Sequence, residues 1–151
     1  MANKEDNSEK EARQLIAELR ILEGTAESLQ SRMNYVNAFW NEANSANMTL
    51  EGIEKEEKNV PLFVPIGGGS YIKAKLDETD KVVYGVGAGI AIEKTLKEAK
   101  EGVSGRIAEL NKARMALEQQ FSQVLKRIQE DQSRLQELTS ALREQERNQD
   151  V

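Results

Sequence analysis

The stretch VPLFVPIGGGSYIKAKLDETDKVVYGVGAGIAIE (60–93) decides the fold, because it separates two much longer helical patterns. Pro61 and Pro65 restrict 60–66 to an edge strand. Glycines at 67–69 form a turn, and the alternation that follows places Ile72, Ala74 and Leu76 on one face. A polar turn at 77–81, a strand at 82–86, a turn at 87–89 and a short strand at 90–92 complete the pattern. Two β-hairpins are therefore predicted, and their apolar face needs a partner sheet or helix to cover it.

Both flanks of the insert carry a sustained 3-4 spacing of mostly apolar residues, which is typical of supercoiled helices. Helix 1 is predicted over 8–58 from a capping box of Ser8 and Glu11, and helix 2 over 95–147 from Thr95 and Glu98. The first seam is Ala12, Leu15, Leu19, Leu22, Ala26, Leu29, Met33, Val36, Trp40, Ala43, Asn47 and Leu50. The second is Leu96, Lys100, Val103, Ile107, Leu110, Arg114, Leu117, Phe121, Val124, Ile128, Asp131, Leu135, Leu138 and Leu142.

The similar lengths of the two arms favour a mainly α fold, in which one domain over 1–151 forms a long antiparallel two-helix coiled coil with two central β-hairpins at 60–93. Lys100, Arg114 and Asp131 interrupt the second seam. They are either buried polar groups that set the register or side chains that reach water where the coil splays, and we favour the second interpretation. Gly102 and Gly105 each cost about 1 kcal/mol relative to Ala, so helix 2 is expected to bend near its start.

Composition excludes several classes of protein. Aromatic residues make up only 5% of the 151 residues and charged residues 31%, which indicates thin, elongated helices. A net charge of -5 argues against a nucleic-acid partner. The chain has no cysteine and no histidine, so we predict no catalytic residue, no metal site and no cofactor. No apolar run approaches the roughly 20 residues that span a bilayer, and no signal peptide is visible, so we expect no membrane contact and a cytoplasmic location.

A nucleotide site is the one enzyme-like possibility in the insert. A dinucleotide fingerprint needs G-x-G-x-x-G, and starting from Gly85 or Gly87 the third glycine is missing. A P-loop needs glycine directly before its lysine, which Lys94 lacks. The glycines at 87 and 89 are therefore interpreted as a hairpin turn.

The outer part of helix 1 is apolar over a wider arc than a two-stranded coil requires, because Ile16 and Ile21 flank the seam. Surplus apolar surface at a free end can bind a partner protein. A locally wider seam, or contact with another subunit's arm, explains the pattern equally well, and both interpretations stay open.

Two motifs inside this arrangement are specific. The segments VPIGGGSYIKA (64–74) and VGAGIAIEK (86–94), each next to a heptad arm, resemble the prefoldin family, and archaeal α subunits in particular. The resemblance covers nearly the whole chain. It implies an ATP-independent holdase that assembles as a hexamer of two α-type and four β-type subunits. The α subunits pair through their hairpins, the strands form a β-barrel platform, and the arm tips hold non-native clients before transfer to a group II chaperonin.

The resemblance suggests where each activity resides. The expected client-binding positions, which we name the tip residues, are Leu15, Ile16, Leu19, Ile21, Leu22, Leu135, Leu138 and Leu142. The expected subunit-assembly positions, which we name the hairpin face, are Val60, Leu62, Val64, Ile66, Ile72, Ala74, Leu76, Val82, Tyr84, Val86, Ile90 and Ile92. The alternative function is a structural or filament-forming coiled-coil scaffold without holdase activity. Gly102 and Gly105 depart from the expected regularity of helix 2.

Overall fold

Two long α-helices flank two β-hairpins in the computed structural model, which describes residues 2–149. In chain order the elements are α1 (Ala2–Ile53), β1 (Pro61–Gly67), β2 (Ser70–Lys75), β3 (Lys81–Gly87), β4 (Ile90–Thr95) and α2 (Leu96–Gln149). The prediction of two helices separated by two hairpins is confirmed. The single-domain organisation over 1–151 stays a prediction, and its residues Met1, Asp150 and Val151 lie outside the described part of the chain.

The predicted start of helix 1 is wrong. Helix α1 begins at Ala2, so Ser8 lies inside the helix and is not its N-cap. Residues 2–7 contain no glycine or proline, so nothing in this segment stops the helix before Ser8. The carboxylate of Glu11, which the predicted capping box assigned to Ser8, instead accepts a hydrogen bond from Arg134 Nε at 2.9 Å. The helix also ends earlier than predicted, at Ile53 rather than 58. Asn59, in the loop that follows, has a φ of 68°, a conformation that asparagine tolerates better than most residues.

The predicted start of helix 2 is confirmed. Glu98 N donates to Thr95 Oγ1 at 3.2 Å, and Thr95 N donates to Glu98 Oε2 at 3.0 Å, which is a reciprocal capping box. The backbone hydrogen bond from Thr95, with a second from its hydroxyl, lowers the pKa of Glu98. Helix α2 then continues to Gln149, two residues beyond the predicted end at 147.

Both predicted seams are confirmed by burial. Every one of the twelve seam positions in α1 and the fourteen in α2 is buried or half-buried, whereas most other helix positions are exposed. Leu29, Leu117 and Leu138 are among the most buried apolar side chains. The repeat of 3.5 residues therefore marks the packed stripe of both helices, as expected for supercoiled helices.

The chain divides into two compact units. Unit 1 comprises Met1–Val36 and Ala113–Val151, and unit 2 comprises Asn37–Lys112. In unit 1, Arg134 pairs with Glu11 at 2.9 Å and Arg127 with Glu18 at 3.0 Å. A step of seven residues along one helix thus matches seven in the opposite direction along the other. The predicted antiparallel arrangement is confirmed in this unit.

Unit 2 contains the two hairpins as separate two-stranded antiparallel sheets, β1-β2 and β3-β4. Each sheet has a register shift just before its turn, between Pro65 and Gly67 in one and between Gly85 and Gly87 in the other. Gly87 has a φ of 115°, which a residue with a Cβ rarely adopts. The glycines at 87 and 89 therefore serve a hairpin turn between two strands, as predicted.

The second hairpin packs on the start of helix α2 through Tyr84. The Tyr84 ring lies so close to the helix that a Cβ added to Gly102 would sit 2.7 Å from the phenolic oxygen. Arg106 Nη2 donates to the carbonyl oxygen of Gly85 at 3.2 Å, and Lys94 Nζ lies 4.7 Å from the centre of the Tyr84 ring. The close approach of the Tyr84 ring therefore favours glycine at position 102, although glycine is unfavourable in a helix.

Alanine substitutions at the two helix glycines should have different effects. A Cβ at Gly105 meets nothing within 4 Å, so Gly105→Ala is expected to raise the free energy of unfolding by about 1 kcal/mol. Gly102→Ala should give no gain or a net loss, because displacing Tyr84 costs about 1–3 kcal/mol. Chemical denaturation of both variants measures the difference. If Gly102→Ala stabilises the protein as much as Gly105→Ala does, the Tyr84 contact does not restrain the hairpin.

Candidate interaction surfaces

The tip residues fall into two groups in unit 1. The six that belong to the seam are buried or half-buried, with Leu19 at 9% and Leu138 at 8% exposure. Ile16 and Ile21 lie outside the seam and are 44% and 70% exposed. These two therefore present more apolar side-chain surface to a partner than the six seam residues do.

The tip residues do not form one compact patch. The Glu11–Arg134 and Glu18–Arg127 pairs place Leu142 beside the start of helix α1, whereas Leu22 lies beside the part of α2 before Arg127. At about 1.5 Å per helical residue, the eight positions extend over roughly 30 Å of the coil. A client segment that contacted all of them would have to follow the coil in an extended conformation.

Three further exposed apolar or aromatic positions in unit 1 were not predicted. Met115 and Leu125 on α2 are 67% and 46% exposed, and Tyr35 on α1 is 71% exposed. Two shallow grooves with volumes of about 460 and 470 Å³ lie along this part of the coil. They share Arg32 and Gln120 among their lining residues. In the sequence, these positions have the same pattern as Ile21, which is an apolar residue outside the seam. That pattern does not distinguish a binding position from an isolated exposed side chain.

The three polar seam residues differ in their surroundings. Lys100 is half-buried and its ammonium group pairs with Glu54, and Arg114 is half-buried with its Nε 3.6 Å from Glu118 Oε1. For Asp131 the favoured interpretation is wrong, because the residue is only 3% exposed and does not reach water. Its Oδ1 lies 3.2 Å from Arg127 Nε, and its Oδ2 has no hydrogen-bond partner among the residues that the structure describes. Asp131 therefore fits the other interpretation, a buried polar group on the seam.

Replacing Asp131 with leucine should stabilise the coil. A buried carboxylate oxygen without a partner costs about 1–3 kcal/mol, and a leucine at this seam position would replace it with apolar packing. We expect Asp131→Leu to raise the melting temperature by several degrees, measured by calorimetry. Asp131→Asn keeps the shape and should change stability much less. A lower melting temperature for Asp131→Leu would mean that the carboxylate is compensated within the assembled protein.

The hairpin face forms one side of both sheets. Its twelve residues are all even-numbered, so within each strand they point to the same side. The six nearer the helices, Val60, Leu62, Ala74, Leu76, Val82 and Tyr84, are half-buried. The six nearer the turns, Val64, Ile66, Ile72, Val86, Ile90 and Ile92, are 42–59% exposed. Tyr84 is better described as an anchor to helix α2, and the six turn-proximal residues form the uncovered apolar surface.

The opposite side of the first hairpin is also partly apolar, which the sequence prediction missed. Phe63 and Tyr71 are 65% and 62% exposed there, beside Lys73 and Lys75. The signal was present in the sequence, since residues 60–66 contain no polar side chain. A strand without polar residues has no clear solvent-facing side, and this one was interpreted only as an edge strand.

No helix within residues 2–149 is both long enough and apolar enough to cross a membrane. Within the same residues, no group of three or more acidic, histidine or cysteine side chains is arranged to hold a metal ion.

Comparison with known proteins supports the resemblance inferred from the motifs. A family model described as "Prefoldin subunit" matches residues 22–141. The chain is 33% identical over 123 residues to the prefoldin subunit alpha of Methanopyrus kandleri, covering 80% of this chain and 78% of that protein. It is 34% identical over 123 residues to the prefoldin subunit alpha of Methanococcoides burtonii, covering 82% and 89%.

A solved structure shares the fold. The cryo-EM structure of filamentous PFD from Methanocaldococcus jannaschii superposes with a TM-score of 0.63 at 24% sequence identity. The match covers 74% of this chain and 92% of that one.

Proposed function

Because the chain belongs to the prefoldin family of molecular chaperones, we propose that it is one subunit of an ATP-independent holdase. In this proposal, the complex binds non-native proteins and keeps them from aggregating. The observation that carries the proposal is that each unit has large apolar side chains that are exposed in the described part of the chain. Ile16 and Ile21 provide these side chains in unit 1, and the turn-proximal hairpin face provides them in unit 2.

Assembly is assigned to the hairpins. An isolated two-stranded sheet is at best marginally stable, and its open edges favour pairing with other strands. The proposed complex contains two copies of this α-type subunit and four β-type subunits. The hairpins of all six form a β-barrel platform, in which the exposed hairpin face becomes the interior.

Client binding is assigned to the tip residues. Ile16 and Ile21 offer the first apolar contacts, and the neighbouring seam leucines add to them where a client displaces one helix end. Each contact is weak, because a partly exposed aliphatic side chain contributes at most about 1.5–3 kcal/mol on full burial. Several arms acting on one client provide avidity without a deep pocket. This fits partners with exposed apolar segments and no fixed structure.

The remaining parts of the proposal follow the family. The complex passes its client to a group II chaperonin, acts in the cytoplasm and uses no nucleotide. The net charge of -5 disfavours nucleic acid as a partner.

A scaffold without holdase activity is the second candidate function. It is favoured by one observation, since the superposed structure is that of a filamentous PFD. The two functions predict different assemblies, because a hexamer is closed whereas a filament grows with concentration.

The test is co-expression with a β-type prefoldin subunit. Native mass spectrometry should give a single hexamer with two copies of this chain, and the complex should suppress aggregation of a chemically denatured protein without nucleotide. Polymers of open-ended mass without such suppression would instead support the scaffold.

A further inference from the structure

We propose that the outer side of the first hairpin binds an acidic segment of a partner protein that also carries apolar side chains. The outer side is the side opposite the hairpin face, and its residues in β1 and β2 are Pro61, Phe63, Pro65, Tyr71, Lys73 and Lys75. All six are exposed. This inference rests on the proposed assembly, in which the hairpin face becomes the platform interior and the outer side stays accessible to solvent.

Aromatic and basic side chains lie next to each other on the outer side. Phe63 is directly opposite Lys73 in the register, and Pro65 is directly opposite Tyr71. Directly opposed side chains share a face of the sheet, with Cβ atoms roughly 4.5–5.5 Å apart, and diagonal neighbours also come within reach of aromatic rings. Phe63 and Tyr71 are diagonal neighbours, so the two rings lie on one surface beside Lys73.

The two lysines of the outer side have no acidic partner in the described part of the chain. Neither Lys73 nor Lys75 forms an ion pair there, although the net charge of the chain is -5. Asp77, the acidic residue that follows them in sequence, lies with its Oδ1 3.9 Å from Lys58 Nζ. The outer side therefore presents positive charge that these neighbouring residues do not neutralise.

The second hairpin provides an internal comparison, because its strands pair in the same way. Pro61 is opposite Lys75 as Lys81 is opposite Thr95, and each sheet has its register shift just before the turn. The positions of the second hairpin that correspond to the outer side of the first are Lys81, Val83, Gly85, Ala91, Glu93 and Thr95.

The two hairpins differ on this side although they agree on the other. Val83 and Ala91 stand at the positions of the two aromatic residues. Glu93 stands at the position of Lys73, and its Oε1 lies 3.3 Å from Lys81 Nζ, so the second hairpin neutralises its own charge. On the hairpin face, by contrast, Ile72 corresponds to Ile92. Exposed aromatic rings and unpaired lysines are therefore not required by the hairpin structure itself.

The residues of the outer side specify the chemistry of the partner. Exposed apolar patches mark sites of protein contact, and aromatic residues are enriched at the centre of such interfaces. Lysines beside the aromatic residues attract carboxylates and disfavour basic segments. A nucleic acid is the less favoured partner, because phosphate binding needs a larger cluster of cations than two lysines.

Selection of peptides on the complex assembled with a β-type subunit tests the proposal. Short random peptides displayed on phage are panned on the wild-type complex and on the double variant Lys73→Glu with Lys75→Glu. We expect the wild-type complex to retain a group of peptides in which acidic residues flank aromatic or aliphatic ones, and the double variant to lose that group. Lys97→Glu with Lys112→Glu is the matched control and should retain it, since both lysines are exposed on α2 in the same unit.

Fluorescence anisotropy of one synthetic peptide from that group measures the effect. Reversing the charge of Lys73 and Lys75 should raise the dissociation constant about tenfold or more, because two attractive contacts become repulsive. Phe63→Ser with Tyr71→Ser should raise it by a similar factor through the loss of the aromatic contacts. Val83→Ser, at the position of the second hairpin that corresponds to Phe63, should have little effect.

Three results would overturn the proposal. The first is that no group of acidic peptides depends on the two lysines, and the second is that a single-stranded oligouridylate binds there more tightly than every selected peptide. The third is that a variant of the outer side fails to assemble by native mass spectrometry, because that side is then a subunit interface. Normal suppression of aggregation with no such peptide group rejects this inference alone. A wild-type complex that binds the peptides but does not suppress aggregation rejects only the proposed holdase function.

Discussion

Removal of residues 1–22 together with 124–151 is expected to abolish suppression of aggregation while leaving the assembled complex intact. The Glu18–Arg127 and Glu11–Arg134 pairs indicate that these two segments lie side by side, so the deletion removes all eight tip residues and leaves the helix ends matched. The hairpins and the adjoining helices remain. Light scattering of a denatured client measures the activity, and native mass spectrometry measures the assembly.

A pair of point substitutions separates client contact from general loss of the coil. Ile16→Ser with Ile21→Ser removes exposed apolar side chains without touching the seam, and should raise the amount of complex needed for half-maximal suppression severalfold. Met115→Ser with Leu125→Ser is the matched control, since these residues are similarly exposed but are not tip residues. Equal loss of activity in both double variants would contradict a binding site confined to the tip residues.

Dissociation of the complex is expected from Ile72→Asp. Ile72 is 54% exposed on the hairpin face, and burying a carboxylate in an apolar interface costs several kcal/mol. The dissociation constant should rise by roughly a hundredfold or more, which corresponds to about 2.7 kcal/mol. Analytical ultracentrifugation of the co-expressed complex measures this change, with circular dichroism to establish that the helices persist.

Tyr71→Asp is the matched control for that experiment. Tyr71 is the preceding residue in the same strand, is 62% exposed and points to the opposite side of the sheet. Its substitution introduces the same charge and the same unfavourable strand propensity, yet should leave the complex assembled. If Tyr71→Asp dissociates the complex and Ile72→Asp does not, the interior of the platform lies on the other side of the hairpin.

Periodicity alone was enough to predict the packed stripes and the strands. The 3.5-residue spacing identified seam positions such as Leu19 and Leu138, because apolar residues at that spacing have to meet a partner helix. Alternation and glycine identified the hairpins, since Gly87 can adopt a φ of 115° at little cost. The capping box at Thr95 was predictable for a similar reason, because all of its hydrogen bonds are local.

Features that depend on distant residues could not be predicted. Ser8 and Glu11 match the pattern of a capping box, but Glu11 pairs with Arg134, which lies far away in the sequence. Gly102 is explained only by the approach of Tyr84, and a local pattern does not include that contact.

The candidate sites likewise combine features that the local sequence predicts with features that depend on distant residues. Burial of Asp131 depends on how closely the two helices pack, whereas a heptad pattern gives only the direction in which the side chain points. On the hairpin face, Leu62 is half-buried whereas Val64 is exposed. This change in exposure along one strand depends on which part of the sheet other elements cover, which the strand sequence does not specify.

Photo-crosslinking to a client tests the separation of binding from assembly most directly. A photoreactive residue at Ile21 in the complex with a β-type subunit should capture a denatured client protein, and the same residue at Ile72 should capture only a neighbouring subunit. Crosslinks to the client from Ile72, or their absence at Ile21 in a complex that suppresses aggregation, would contradict the assignment of binding to the tip residues and of assembly to the hairpins.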